Sequence, residues 1–177
     1  MKKIMLFMFA ALLLVSFTTA QDKMMEKKEE LKVGMHAPNF TLHDAFGHSY
    51  KLSSYFGKMP VVVYFYPKAG TSGCTKEACG IRDDWSKFKE KKVQVLGISV
   101  DQKADIKKFV KDYKLNFPLL SDADKKVSEK YGVFNDHGYD NRITFIVDKK
   151  GLITDIINVK DIDGHAAKVL DIASKLN

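Results

Sequence analysis

The segment Val61-Val62-Val63-Tyr64-Phe65-Tyr66 narrows the choice of folds more than any other stretch of this chain. Six consecutive β-branched or aromatic residues read as a strand, and because they do not alternate with polar ones, neither face of that strand is made for water. A strand of this kind belongs in the middle of a sheet covered on both faces. Pro67 ends it, because proline lacks the N–H that a ladder would need.

The rest of the chain agrees with a covered sheet. Gly34, Pro38 and Gly47 punctuate Phe40-Thr41-Leu42 and Tyr50-Lys51-Leu52, which predicts a small β-hairpin. A loop from Lys68 to Gly73 leads into a helix expected from Cys74 to Lys89, with Ala78, Ile81, Trp85 and Phe88 turned inward at helical spacing. Residues 93–100 predict a strand, Ala104 to Tyr113 a helix, and Phe117 to Leu120 a short extended piece. Asp124 to Tyr131 predicts a short helix, Thr144–Val147 and Ile153–Val159 a strand pair across Asp148-Lys149-Lys150-Gly151, and His165 to Leu176 a closing helix. Strands that alternate with helices and finish on a hairpin and a helix predict an α/β domain with a mixed sheet flanked by helices on both faces. One such domain, expected over residues 33–177, suits the 177-residue length, and no internal repeat or low-complexity tract interrupts it.

Residues 1–20 have the parts of a secretory signal. Lys2 and Lys3 precede an apolar run from Ile4 to Phe17, and Thr18-Thr19-Ala20 supply small residues before Gln21. That run is about 14 residues, short of the roughly 20 a spanning helix needs. Cleavage and export, periplasmic or secreted, is therefore expected rather than a membrane anchor, with no stable membrane association afterwards. Residues 21–32 form a charged leader. The formal charge of +7, or +5 without Lys2 and Lys3, is spread among acids as in Asp122-Ala123-Asp124-Lys125-Lys126. No basic stripe with interleaved aromatics is present, so nucleic acid is not an expected partner. His36, His43, His48, His137 and His165 lack ligand spacing, which argues against a metal site and for surface positions.

Cys74 and Cys79 are the only cysteines. In an exported chain an even count commonly means a structural bridge, but closing so short a loop adds little stability to a domain of this size. Position suggests chemistry instead. A free thiol titrates near 8.5, so only about 3% is thiolate at neutral pH. The unpaired N–H groups and positive dipole end of a helix stabilise the anion, and Cys74 falls in the first turn of the predicted helix. Thr71 stands three residues earlier, where its hydroxyl could reach the sulfur. Glu77 and Lys76 read as solvated, and Tyr64 and Trp85 as core.

Pro67-x-x-x-Thr71-x-x-Cys74 is similar to the active-site motif of peroxiredoxins. The wider stretch YFYPKAGTSGCTKEACGIRD resembles the peroxiredoxin Q (bacterioferritin comigratory protein) branch, and the likeness runs from about Gly34 to Leu176 through LGISVD, FPLLSD and RITFIVD. The resemblance implies a thioredoxin-like fold and a peroxidase that needs no metal or organic cofactor. It implies that Cys74 attacks hydrogen peroxide or an organic hydroperoxide, that Thr71 is its hydroxyl partner, that Pro67 shields the site and that Arg142 completes the pocket. It further implies that Cys79 resolves the Cys74 sulfenic acid as an intramolecular disulfide, which a thioredoxin-like protein reduces, the enzyme being expected as a monomer. The chain departs from the branch at Ser72, where proline is usual, and in a shorter Val133–Arg142 segment. Read without the resemblance, two other functions stay open: thiol–disulfide exchange, for which Cys-x-x-x-x-Cys replaces the usual Cys-x-x-Cys, and a non-catalytic binding module with a static disulfide.

Overall fold

A computed structural model of the protein describes residues 30–177. The expected signal segment and most of the charged leader lie outside the described residues. Seven strands form one sheet: β1 (Thr41–Asp44), β2 (Ser49–Lys51), β3 (Val61–Phe65), β4 (Gln94–Ser99), β5 (Leu119–Ser121), β6 (Ile143–Val147) and β7 (Ile153–Asn158). Among the described residues five α-helices accompany them: α1 (Ser72–Asp83), α2 (Trp85–Glu90), α3 (Lys103–Asp112), α4 (Lys126–Lys130) and α5 (His165–Ser174).

The strand order is β2-β1-β5-β4-β3-β6-β7, with β3 parallel to β4 and antiparallel to β6. As the apolar run demands, β3 lies inside the sheet and is buried along its whole length. Its side chains divide between two cores. Val62, Tyr64 and Tyr66 pack under α1, α2, α3 and α5 with Ala78, Ile81, Phe88, Ile106, Phe109 and Val169. Val61, Val63 and Phe65 face the opposite layer with Leu52, Val127, Tyr131 and Phe145. Gly97 on β4 answers the bulk of Tyr64, because a Cβ there would stand 2.6 Å from the tyrosine ring.

The expected single helix over 74–89 is two helices. α1 ends at Asp83, Asp84 stands between the two, and α2 begins at Trp85. The break lets Trp85 lean on Phe88 and Phe117 while Ile81 and Phe88 both stay fully buried. Helical periodicity survives such a break, which is why spacing alone joins the two. α1 also starts earlier than expected, at Ser72.

A buried acidic pair sits beside the sheet. Asp122 and Asp140 are both inaccessible to solvent, and the Ser128 hydroxyl lies 2.7 Å from Asp122 Oδ2 and 3.1 Å from Asp140 Oδ2. One hydroxyl has one hydrogen, so hydrogen bonds at both contacts need a proton on one of the two carboxyls, and Asp122, which also accepts from the Val127 and Ser128 N–H groups, is the better-supported anion. Burial, with Asp122 and Asp101 nearby, pushes the Asp140 carboxyl up to about 7 despite the Ser128 bond.

Candidate active site

The sheet itself brings the site together. β3 and β6 pair with Phe65 opposite Ile143, so Arg142, one residue before β6, stands beside the end of β3 where the chain leaves for α1. Its carbonyl accepts from the Val159 N–H at 3.0 Å, fixing the backbone there. The connecting loop is also pinned. Asp101 accepts from the Ala69 N–H at 2.7 Å and from the Ser99 hydroxyl at 2.9 Å, and Gly70 turns the chain with φ +77°. Ser72, in the place of the usual proline, is the first residue of α1.

Cys74 is the third residue of α1 and 2% exposed. Arg142 Nη2 lies 3.1 Å from its sulfur. Gly73 makes that approach possible, since a Cβ there would meet Arg142 Nη2 at 3.3 Å and Ile162 Cδ1 at 3.2 Å. Both cysteines are free thiols within α1, with Cys79 half-buried. Five residues apart on a regular helix, their Cα atoms are roughly 8.6 Å apart, beyond the roughly 7 Å that a disulfide tolerates.

The other expected site residues fare differently. Thr71 precedes α1 in an extended conformation, but its exposed hydroxyl donates to the Lys68 carbonyl at 3.0 Å. It closes the loop and makes no bond to the Cys74 sulfur. The donor went to the nearest backbone acceptor, a local competition typical of threonine. Pro67 follows β3 half-buried at the start of the loop.

Two residues expected at the surface are interior. Glu77, read as solvated, is 2% exposed. One turn after Cys74 on the same face of α1, its Oε2 accepts from Arg142 Nη1. His165, read as a surface histidine, is 3% exposed at the start of α5, with Nε2 3.1 Å from Thr144 Oγ1 and Nδ1 3.1 Å from Glu77 Oε1. The Glu77–His165 approach lies off the hydrogen-bond direction, and neither atom has another partner. Burial pushes Glu77 up to about 7, opposed by Arg142. Burial, helped by the charges of Arg142 and Lys168, pushes His165 down to about 4. For Arg142 burial works against the charge, but Glu77 and Cys74 outweigh it and the pKa is raised. The spacing Cys74-x-x-Glu77 was the one available signal for Glu77, since residues three apart share a helix face. No group of three or more metal-ligating side chains occurs among the described residues, and no helix among them is long and apolar enough to cross a membrane.

A buried thiol with a guanidinium at hydrogen-bond distance and a buried carboxylate behind it is equipped to hold a thiolate and receive negative charge from a small electrophile. The family model described as the AhpC/TSA family matches residues 33–156. A protein named putative peroxiredoxin bcp from Coxiella burnetii is 44% identical over 147 residues, 79% of this chain and 97% of that one. The crystal structure of peroxidoxin BcpB from Mycobacterium tuberculosis superposes with a TM-score of 0.77 at 35% identity, covering 84% of this chain and 99% of the other. The bacterioferritin comigratory protein of Xanthomonas campestris, described for its alkyl peroxide reduction activity, matches with a TM-score of 0.71 at 26% identity over 77% of this chain and 90% of its own. With a thioredoxin-like sheet and both thiols on its first helix, the chain belongs to the AhpC/TSA family, on its peroxiredoxin Q branch, and is a thiol-dependent peroxidase.

Proposed function

We propose that the protein reduces hydrogen peroxide and organic hydroperoxides through Cys74, is resolved by Cys79, and is recycled by a thioredoxin-like dithiol protein. The observation that carries this reading is the Arg142 guanidinium 3.1 Å from the Cys74 sulfur at the start of α1. The Cys74 thiolate attacks the terminal peroxide oxygen; an S–O bond forms as the O–O bond breaks. The departing hydroxide or alkoxide takes a proton from solvent and leaves as water or alcohol, its developing charge met by Arg142. Sulfur is oxidised to the sulfenic acid and the peroxide is reduced.

The start of α1 then unwinds so that the Cys79 thiolate reaches the Cys74 sulfur; the S–S bond forms as the S–O bond breaks, and the displaced hydroxide takes a proton from solvent and leaves as water. A reduced dithiol restores both thiols by exchange. The alkyl peroxide activity of the Xanthomonas relative supports the hydroperoxide part of the substrate class.

Replacing each cysteine by serine tests the assignment. Cys74→Ser abolishes peroxide consumption. Cys79→Ser reacts once and stops at a sulfenic acid that dimedone traps. Turnover retained in Cys74→Ser would overturn the reading.

A further inference from the structure

Arg142 reaches the sulfur with one nitrogen and Glu77 with the other, so its aim depends on Glu77 keeping a negative charge. That charge is poorly supported. The carboxylate is fully buried, and Oε1 has no aligned donor. The nearest candidate is His165 Nδ1 at 3.1 Å, itself buried and without another partner.

The Thr144 hydroxyl can donate or accept, so the carboxylate on the other side of the ring decides the tautomer. Thr144 Oγ1 stands 3.1 Å from Nε2 and can donate to it, leaving the ring hydrogen on Nδ1, toward Glu77. The reverse tautomer would set an Nδ1 lone pair against a carboxylate oxygen, which is repulsive. A neutral ring with Nδ1–H also agrees with the depressed basicity of His165. The ionisable groups around this cluster come from every packed element. They are Cys74 on α1, Tyr64 on β3 with its hydroxyl buried and unpartnered, Arg142 before β6 and Lys168 on α5.

We propose that His165 is a positioning residue for the peroxidase reaction: its Nδ1–H swings into line with Glu77 Oε1 and thereby holds Arg142 against the Cys74 sulfur. The chain of contacts runs from Thr144 on β6 through His165 on α5 and Glu77 on α1 to Arg142, so three elements set the angle of one guanidinium. The assignment rests on Cys74 being the thiol that attacks peroxide.

Asparagine and glutamine at 165 separate the two ring nitrogens, since the asparagine amide falls near Nδ1 and the glutamine amide near Nε2. Both are polar and of similar bulk, so a packing role would treat them alike. The experiment measures the second-order rate constant for hydrogen peroxide by stopped flow, with the full chain, from pH 5.5 to 9. The Cys74 thiolate fraction of each variant is titrated separately with iodoacetamide, and each rate constant is divided by it. A hydrogen bond to a charged group shifts its titration by about one to two pH units. His165→Gln is therefore expected at roughly one-tenth of wild type or less near pH 6, with the ratio climbing toward one by pH 9, where Glu77 ionises without help. His165→Asn recovers most of that loss. Equal rates in both variants, or equal losses that do not change with pH, would overturn the proposal. Peroxide reactivity surviving in Cys74→Ser would instead bring down the underlying assignment, a separate outcome of the same assay.

Discussion

Gly80→Ala isolates the step in which α1 must open. Gly80 lies inside α1, one residue beyond Cys79, with ordinary helical backbone. A Cβ built there comes no closer than 3.6 Å to another atom, the Cβ of Ala166, which is normal van der Waals contact. The substitution therefore adds no clash and removes a glycine from a helix interior, stabilising the wound form by about 0.5–1 kcal/mol. If Cys79 reaches Cys74 only after α1 unwinds through this position, the open population falls by the same free energy, about 2–5-fold. Peroxide attack on Cys74 does not require that opening. In stopped flow with the single tryptophan, Trp85, as reporter, the peroxide-dependent phase should keep its wild-type rate. The later, peroxide-independent phase should slow by about 2–5-fold. A longer-lived sulfenic acid meets a second peroxide more often, so sulfinic acid at a fixed peroxide concentration should rise in the same proportion, read by mass spectrometry. A more heat-stable variant with an unchanged or faster second phase would refute the reasoning, because the helix would then not have to open at Gly80.

Arg142→Ala should lower the peroxide rate constant by roughly a hundredfold or more, the usual loss for an electrostatic donor worth about 2.7–4 kcal/mol; a change under threefold in stopped flow would contradict its place at the sulfur. Glu77 makes opening of α1 depend on pH. Its pKa is raised from the usual 4.5 to about 7 in the wound helix, so that state's advantage is complete below about pH 4.5 and lost as pH rises through about 7, on the order of 3 kcal/mol in all. Protection factors across Gly73 to Arg82, that is, amide exchange corrected for its intrinsic pH dependence, should fall over that window and level off above it, whereas Glu77→Gln should lose this fall. Asp140 has a raised pKa of about 7 as well, so its contribution to stability is present at low pH and lost as pH rises through about 7; Asp140→Asn should flatten that part of a urea-denaturation profile between pH 5 and 8.5.

Much of this architecture is legible in the chain before any coordinates. A run such as Val61–Tyr66 leaves little choice but an interior strand, and the Pro67-x-x-x-Thr71-x-x-Cys74 spacing places a thiol on the first turn of a helix. Those are local statements, because sterics, missing N–H groups and helix ends act over a few residues. Arg142 was named through the likeness to peroxiredoxins, since a lone arginine before a strand carries no signal of its own. Glu77 and His165 look solvated in the sequence for one shared reason. Glu77 is written among Lys76 and Arg82 and looks solvated, yet its partner is 65 residues away along the chain. His165 becomes interior only because α5 packs over α1 and β6, whereas the Thr71 bond to Lys68 is a local one, three residues back, that leaves its expected role beside Cys74 open. The break at Asp84 is likewise invisible to a 3.6-residue period that runs through it. Sequence by itself determined the covered sheet, the helix-borne cysteine pair and the family. Only the tertiary structure decided which charges are buried and what they hold, because the cost of burying a charge depends on partners delivered by other elements.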